Sequence, residues 1–228
     1  MNPAVPRIHW FLLGIATVLL VACTVAARIA SSAALLPLTL SPGSSVTYTV
    51  VRLLPDTVRI ALRFERKQGA RRPELGEFVS RSGAGYLLFE SPGEPVVIQV
   101  RGPSSAATFE ALPAGSYGAT HIGRNLVVGD TDDNPHRFQW PPNNASRPRL
   151  PIGISKVTLV VARVGDALSG EQVSAILEPP LSFKSASPRY GFLWWFYFWP
   201  VLAAPLVGYA AYLAWRVLRS RNRSASAA

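Results

Sequence analysis

Val58-Arg59-Ile60-Ala61-Leu62-Arg63-Phe64-Glu65-Arg66 alternates apolar and mostly polar side chains one for one. Successive side chains of an extended strand point to opposite faces, so the pattern predicts a strand with one buried and one wetted face. Arg59, Ala61 and Arg63 share the wetted face. With Arg66, Lys67, Arg71 and Arg72 they form the densest positive stretch of the chain. That face reads either as a solvated sheet surface or as a contact for an anionic partner, such as lipid headgroups, an acidic glycan or a protein.

Outward from this stretch the same period of two recurs, predicting strands at 46–53, 86–90, 96–101, 108–112, 126–128, 137–140, 156–164 and 173–177. Leu54-Pro55-Asp56, Ser91-Pro92-Gly93, Gly102-Pro103-Ser104 and Pro113-Ala114-Gly115 separate them. Short strands broken this often by Pro and Gly predict an antiparallel sandwich or barrel. Phe109-Glu110-Ala111-Leu112-Pro113-Ala114-Gly115-Ser116-Tyr117 fits two strands meeting at a tight corner, and resembles a corner common in bacterial Ig-like sandwiches. The resemblance implies an Ig-like antiparallel β-sandwich over residues 45–184.

The ends of the chain obey a different rule. No charge interrupts the run from Tyr190 to Trp215, Tyr-Gly-Phe-Leu-Trp-Trp-Phe-Tyr-Phe-Trp-Pro-Val-Leu-Ala-Ala-Pro-Leu-Val-Gly-Tyr-Ala-Ala-Tyr-Leu-Ala-Trp, and about 20 apolar residues suffice to cross a bilayer. Trp194, Trp195 and Trp199 crowd its first turns, and Arg216, Arg219, Arg221 and Arg223 follow it. Aromatic belts at the interface and arginines on the cytoplasmic side predict a chain that enters from outside and ends inside. Pro200 and Pro205 are expected to kink this helix or to leave carbonyls free for a neighbour. Ala204 and Gly208 form a small-xxx-small pair that lets another membrane helix approach closely. At the other terminus residues 10–27 are uncharged and apolar, closed by Arg28. This segment reads as an uncleaved anchor or as a signal segment, because Leu20-Val21-Ala22-Cys23 resembles a bacterial lipobox, which would make Cys23 a lipidation site.

The formal charge of +10 on 228 residues suggests nucleic acid until it is mapped. Residues 28–189 carry 18 of the 23 basic residues and all 13 acidic ones, so half the excess lies in arginines flanking the apolar ends. No basic run interleaved with aromatics is present, and nucleic acid is excluded as an expected partner. Cys23 is the single cysteine, which removes any intrachain disulfide or thiolate metal site. Asp130, Asp132, Asp133 and His136 could offer oxygen and nitrogen ligands to a metal, or form an Asx-rich turn. The histidines His9, His121 and His136 fall in separate segments, and no Gly-x-Ser-x-Gly elbow or phosphate-cradling glycine loop occurs. Neither catalysis nor a cofactor is expected.

The expected organisation is a cytoplasmic N-terminus (1–9), a transmembrane helix (10–28), a stalk (29–44), the periplasmic β-domain (45–184), a linker (185–190), a second transmembrane helix (191–215) and a basic tail (216–228). Such a chain reads as a non-catalytic accessory or structural subunit of a bacterial inner-membrane complex. Its expected partners are membrane lipids and a larger integral membrane protein or further copies of itself. The expected contact residues are Arg59, Arg63, Trp194, Trp195, Trp199, Pro200, Ala204, Pro205 and Gly208. The alternative is a glycan- or ion-binding envelope module using Tyr117, Trp140 and the acidic loop, with an anionic glycan as ligand.

Overall fold

The computed structural model describes residues 7–66, 71–82, 85–113, 120–128, 136–139, 147–181 and 191–225. The chain divides into a β-rich unit, Ser32–Ser182, and a helical unit made of Met1–Ser31 and Phe183–Ala228.

Among the described residues the β-unit has β1 (Ala34–Thr39), β2 (Ser45–Arg52), β3 (Asp56–Thr57), β4 (Ile60–Glu65), β5 (Glu77–Ser82), β6 (Tyr86–Ser91), β7 (Val96–Arg101), β8 (Ala106–Leu112), β9 (His121–Val128), β10 (Arg137–Gln139), β11 (Arg149–Leu150), β12 (Gly153–Val164) and β13 (Gln172–Leu177). The alternating stretch behaves as its pattern requires: β4 buries Ile60, Leu62 and Phe64 and turns Ala61 and Arg63 outward. Eight strands join in one antiparallel sheet, in the order β1-β13-β4-β9-β8-β7-β12-β2. Strand twist curls this sheet until its first and last strands approach, nearly closing a barrel. At the seam the Tyr48 hydroxyl of β2 donates to the Pro37 carbonyl of β1. A proline is tolerated on an edge strand, where its missing N–H costs no ladder bond. Long β12 serves both β2 and β7, and an irregularity between Val161 and Arg163 lets it bend between them.

The interior is one cluster of side chains of alternating parity, among them Leu38, Leu62, Phe64, Ile98, Phe109 and Leu159. Each contributes about 1.5–3 kcal/mol by leaving water. A small sheet of order β10-β6-β5 covers the outside of β8 and β9, where Leu87, Phe89, Leu112, Val127 and Phe138 form a second cluster. The two-stranded pair β11-β3 completes the unit. The fold is therefore mainly β and antiparallel, as expected. Its main sheet is continuous and nearly barrel-shaped.

The segment read as a stalk is corrected in part. Residues 34–39 form β1 and pair along their whole length with β13, from Ala34↔Leu177 to Thr39↔Gln172. Leu36, Leu38 and Leu40 are buried there, and Pro37 disguised the alternation. The expected linker at 185–190 lies outside the described residues.

One ion-pair group pins the long excursion between β4 and β5. Arg72 forks onto Glu171 at 2.7 and 2.8 Å, reaches Glu74 at 2.6 Å, and lies over the Phe64 ring. Its side chain is 5% exposed. The hydrogen bonds that Arg72 donates to Glu171, and then to Glu74, hold its pKa above the ordinary guanidinium value against the opposing effect of burial. An Arg72→Met variant should lose about 2 kcal/mol, below the full cost of breaking a buried pair because both glutamates keep some access to water. Thermal unfolding of the full chain checks this.

In the helical unit α1 (Arg7–Ala30) is 24 residues long, about 36 Å at 1.5 Å per residue. A 3-10 helix at Gly191–Phe198 leads into α2 (Trp199–Ala225). Both helical segments are long and apolar enough to cross a membrane, and only 6% of the most apolar window of each is buried. A core helix of a soluble domain would be mostly buried, so this exposure points to membrane association. The helices run antiparallel, as three pairings show: Tyr209 hydrogen-bonds His9 Nδ1 at 2.7 Å, Arg28 lies over the Tyr197 ring at 5.0 Å, and the Tyr197 hydroxyl donates to Ser31 Oγ. Pro200 falls in the first turn of α2, directly after the 3-10 helix. Pro205 is inside α2 and leaves the Val201 carbonyl without its helical donor.

Candidate functional site

Two places gather the residues of interest, one in each unit. In the helical unit α1 and α2 enclose a groove of about 460 Å³ lined by Leu13, Leu20, Val21, Trp199, Ala203 and Leu206, with other apolar neighbours. Thr17 and Thr24 also line it, but their hydroxyls bond back to the Leu13 and Leu20 carbonyls and leave the surface apolar. Trp199 is thus part of the groove. Ala204, Pro205 and Gly208 lie on a different face: all three are exposed, and a side chain added at Gly208 would meet nothing within 4 Å. The small-residue pair is therefore not what packs α1 against α2. Trp194 stacks on Tyr197 with centroids 4.7 Å apart, while Trp195 is 68% exposed. Cys23 is half-buried on α1, within an unbroken helix.

In the β-unit the expected basic face is partly consumed by protein contacts. Arg63 donates from Nη2 to His121 Nδ1 at 2.7 Å. Arginine can only donate, so this contact makes Nδ1 the acceptor and places the ring proton on Nε2. Arg59 donates to the Pro179 carbonyl at 2.8 Å and lies 3.6 Å from both Asp56 and Glu178. It belongs to a larger cluster at one end of the barrel. Arg52, the last residue of β2, has the parity of Val46, Tyr48 and Val50 and therefore points inward, 3% exposed, where its Nη2 donates to the Glu178 carbonyl. Arg147 joins from the chain before β11. Desolvation lowers the pKa of both Arg52 and Arg147; repulsion from Arg59 adds to the lowering, and Asp56 opposes it. Beside the cluster is a cavity of about 580 Å³ lined by Asp56, Thr57, Ser104 and Arg149 between prolines 55, 103 and 151.

Known proteins give no further guide. No family model, curated protein or solved structure matches this chain. The reading rests on its own geometry.

Asp130, Asp132, Asp133, Tyr117 and Trp140 lie outside the described residues. His136 is described and sits 3.2 Å by Nδ1 from the Phe89 carbonyl. Among the described residues no group of three or more His, Cys, Asp or Glu is placed to hold a metal ion. His121 and His136 are held by different elements, the first against β4 and the second against β6. Sequence reasoning missed Arg52, Asp56, Arg147 and Glu178. For Arg52 the signal was available, because continuing the alternation of β2 by one step places it inside.

Proposed function

We propose that this chain is a non-catalytic, membrane-anchored accessory subunit of a bacterial envelope complex. In this reading α1 and α2 cross the inner membrane with both termini cytoplasmic, and the β-unit, an Ig-like or related antiparallel scaffold, stands in the periplasm. The partner is a helix of a larger integral membrane protein docked on α2. The observation that carries the proposal is the face of α2 with Ala204, Pro205 and Gly208, which is exposed while the neighbouring face packs on α1. Small residues allow backbone approach, and the free Val201 carbonyl ahead of Pro205 offers an acceptor to a neighbouring polar side chain. The glycan- or ion-binding alternative depends on Tyr117, Trp140 and the acidic loop, outside the described residues.

Ala204→Leu and Gly208→Leu test the proposal, because leucine on an open face leaves α1–α2 packing intact. In mild detergent the wild-type chain should retain the larger membrane protein, and each variant should retain at least about tenfold less at unchanged melting temperature. A complex that survives both changes, or one built only from copies of this chain, refutes the proposal.

A further inference from the structure

The barrel end that carries Arg52 holds more positive charge than its carboxylates balance. Arg52, Arg59 and Arg147 gather there with Asp56 and Glu178, a surplus of one cation, and the exposed Arg149 lines the cavity beside them. The Nε atoms of Arg52 and Arg147 are buried without a hydrogen-bond partner, as is Asp56 Oδ2, which lies 3.6 Å from Arg59. Burial makes unbalanced guanidinium charge costly, so the cluster favours an anion close by. The adjoining cavity offers donors for one: the Arg149 guanidinium on β11, the Thr57 hydroxyl on β3 and the Ser104 hydroxyl in the β7–β8 turn. A planar guanidinium with hydroxyls from two other segments suits the several acceptor oxygens of a phosphate group better than the two of a carboxylate.

The surroundings say what the phosphate is attached to. Ile152 and Ile154 follow the cavity residue Pro151 and are 66% and 76% exposed. Val51, paired with Ile154 and adjacent to Arg52, is 55% exposed, and Leu35 near the start of β1 is 61% exposed. Register places all of them at the same end of the barrel, since Gly153 faces Arg52 and Ala34 faces Leu177, next to Glu178. A soluble phosphate ester has no use for this fringe of branched apolar side chains. A phospholipid, with phosphate beside hydrocarbon, matches both parts.

We propose that this barrel end is a phospholipid-binding surface, with the lipid phosphate held by Arg149, Thr57 and Ser104 and the apolar fringe of Ile152, Ile154, Val51 and Leu35 set against the acyl boundary. It goes beyond the docking proposed for α2 and does not depend on it.

The test is hydrogen exchange over residues 147–155 of the full-length protein in nanodiscs. Discs of phosphatidylcholine with phosphatidic acid should slow exchange about tenfold relative to phosphatidylcholine alone. Arg149→Gln should abolish the slowing and Ile154→Ser should reduce it. Both residues are exposed, so neither change should lower the melting temperature. Equal slowing by soluble glycerol 3-phosphate with phosphatidylcholine discs would show a free-phosphate site and overturn the lipid surface. Equal slowing by digalacturonate would overturn it in favour of an acidic glycan. No slowing with phosphatidic acid, or slowing unchanged in Arg149→Gln, would overturn it outright.

Discussion

Replacing Arg124 by methionine should destabilise the β-unit by about 3–5 kcal/mol. Arg124 shares the parity of Ile122, Leu126 and Val128 on β9, so it projects into the barrel, where it is 1% exposed. There it donates from Nη1 to the Glu94 carbonyl at 2.6 Å and from Nη2 to the carbonyls of Ala111 at 2.8 Å and Pro92 at 3.2 Å. One side chain thus ties the turn before β7 to β8. Exchanging a buried ionic group for apolar residues can be neutral when every partner is exchanged with it. That escape is closed here, because the partners are backbone carbonyls and stay behind unsatisfied. For a unit of roughly 150 residues each kcal/mol moves the midpoint about 2–4 °C, so the melting temperature should fall roughly 6–20 °C. Circular dichroism of the full chain in detergent reads this through the loss of β signal. An unchanged midpoint would show that water replaces the arginine and that the barrel end is open.

Gly93→Ala should be nearly as damaging, at about 3 kcal/mol or more, for a different reason. Gly93 has φ +70°, and a Cβ there would lie 2.5 Å from the Gly76 nitrogen and 2.7 Å from the Glu74 oxygen. The contact is reciprocal, since a Cβ on Gly76, φ +76°, would lie 2.7 Å from the Pro92 and Ser91 carbonyl oxygens. Two turns pack backbone against backbone, clamped by a 2.7 Å bond from the Glu94 N–H to the Glu74 carbonyl. Neither side can swing away as a flexible side chain would. Gly170→Ala is the matched control: its φ is +79°, but nothing lies within 4 Å of the added Cβ. It should cost only the left-handed penalty, about 1–2 kcal/mol, so the difference between the variants measures the steric part. Equal losses would remove the backbone contact from the explanation.

Strand parity was the most legible feature of the sequence, and its failures share one cause. β4, β7 and β13 could be read because their inward residues are all apolar. β9 was readable only from Leu126, because His121, Gly123, Arg124 and Asn125 broke the hydrophobic signal although the register continues unbroken through them. Arg52 disappeared for the same reason at the end of β2. An inward arginine satisfied by distant carbonyls leaves no local trace, since the Glu178 and Glu94 carbonyls that receive these side chains are 126 and 30 residues away. β1 was hidden by Pro37, which reads as a breaker although an edge strand accepts it. The closure of the sheet was likewise beyond pattern reading, because alternation fixes which face of a strand is buried but not which strands are neighbours. The apolar ends were legible from length and charge alone. The division of α2 from the preceding 3-10 helix was not, although Pro200 marks the boundary. Arg63 lies on the outward side of β4, whereas Arg59, just before the strand, pairs with Asp56 of β3 and with Glu178, which follows β13.

The pairing of Ala34 with Leu177 has a mechanical consequence. β1 and β13 are the first and last strands in chain order, adjacent and antiparallel, so both chain ends leave from the same end of one ladder. Tension applied through those ends would load the β1–β13 hydrogen bonds one at a time, in the manner of a zipper, and not all together in shear. On its other side β1 has the Tyr48–Pro37 bond at the seam. The barrel is thus built to yield by peeling its first strand under a small pull, which makes it a poor tension-bearing link and a sensitive one.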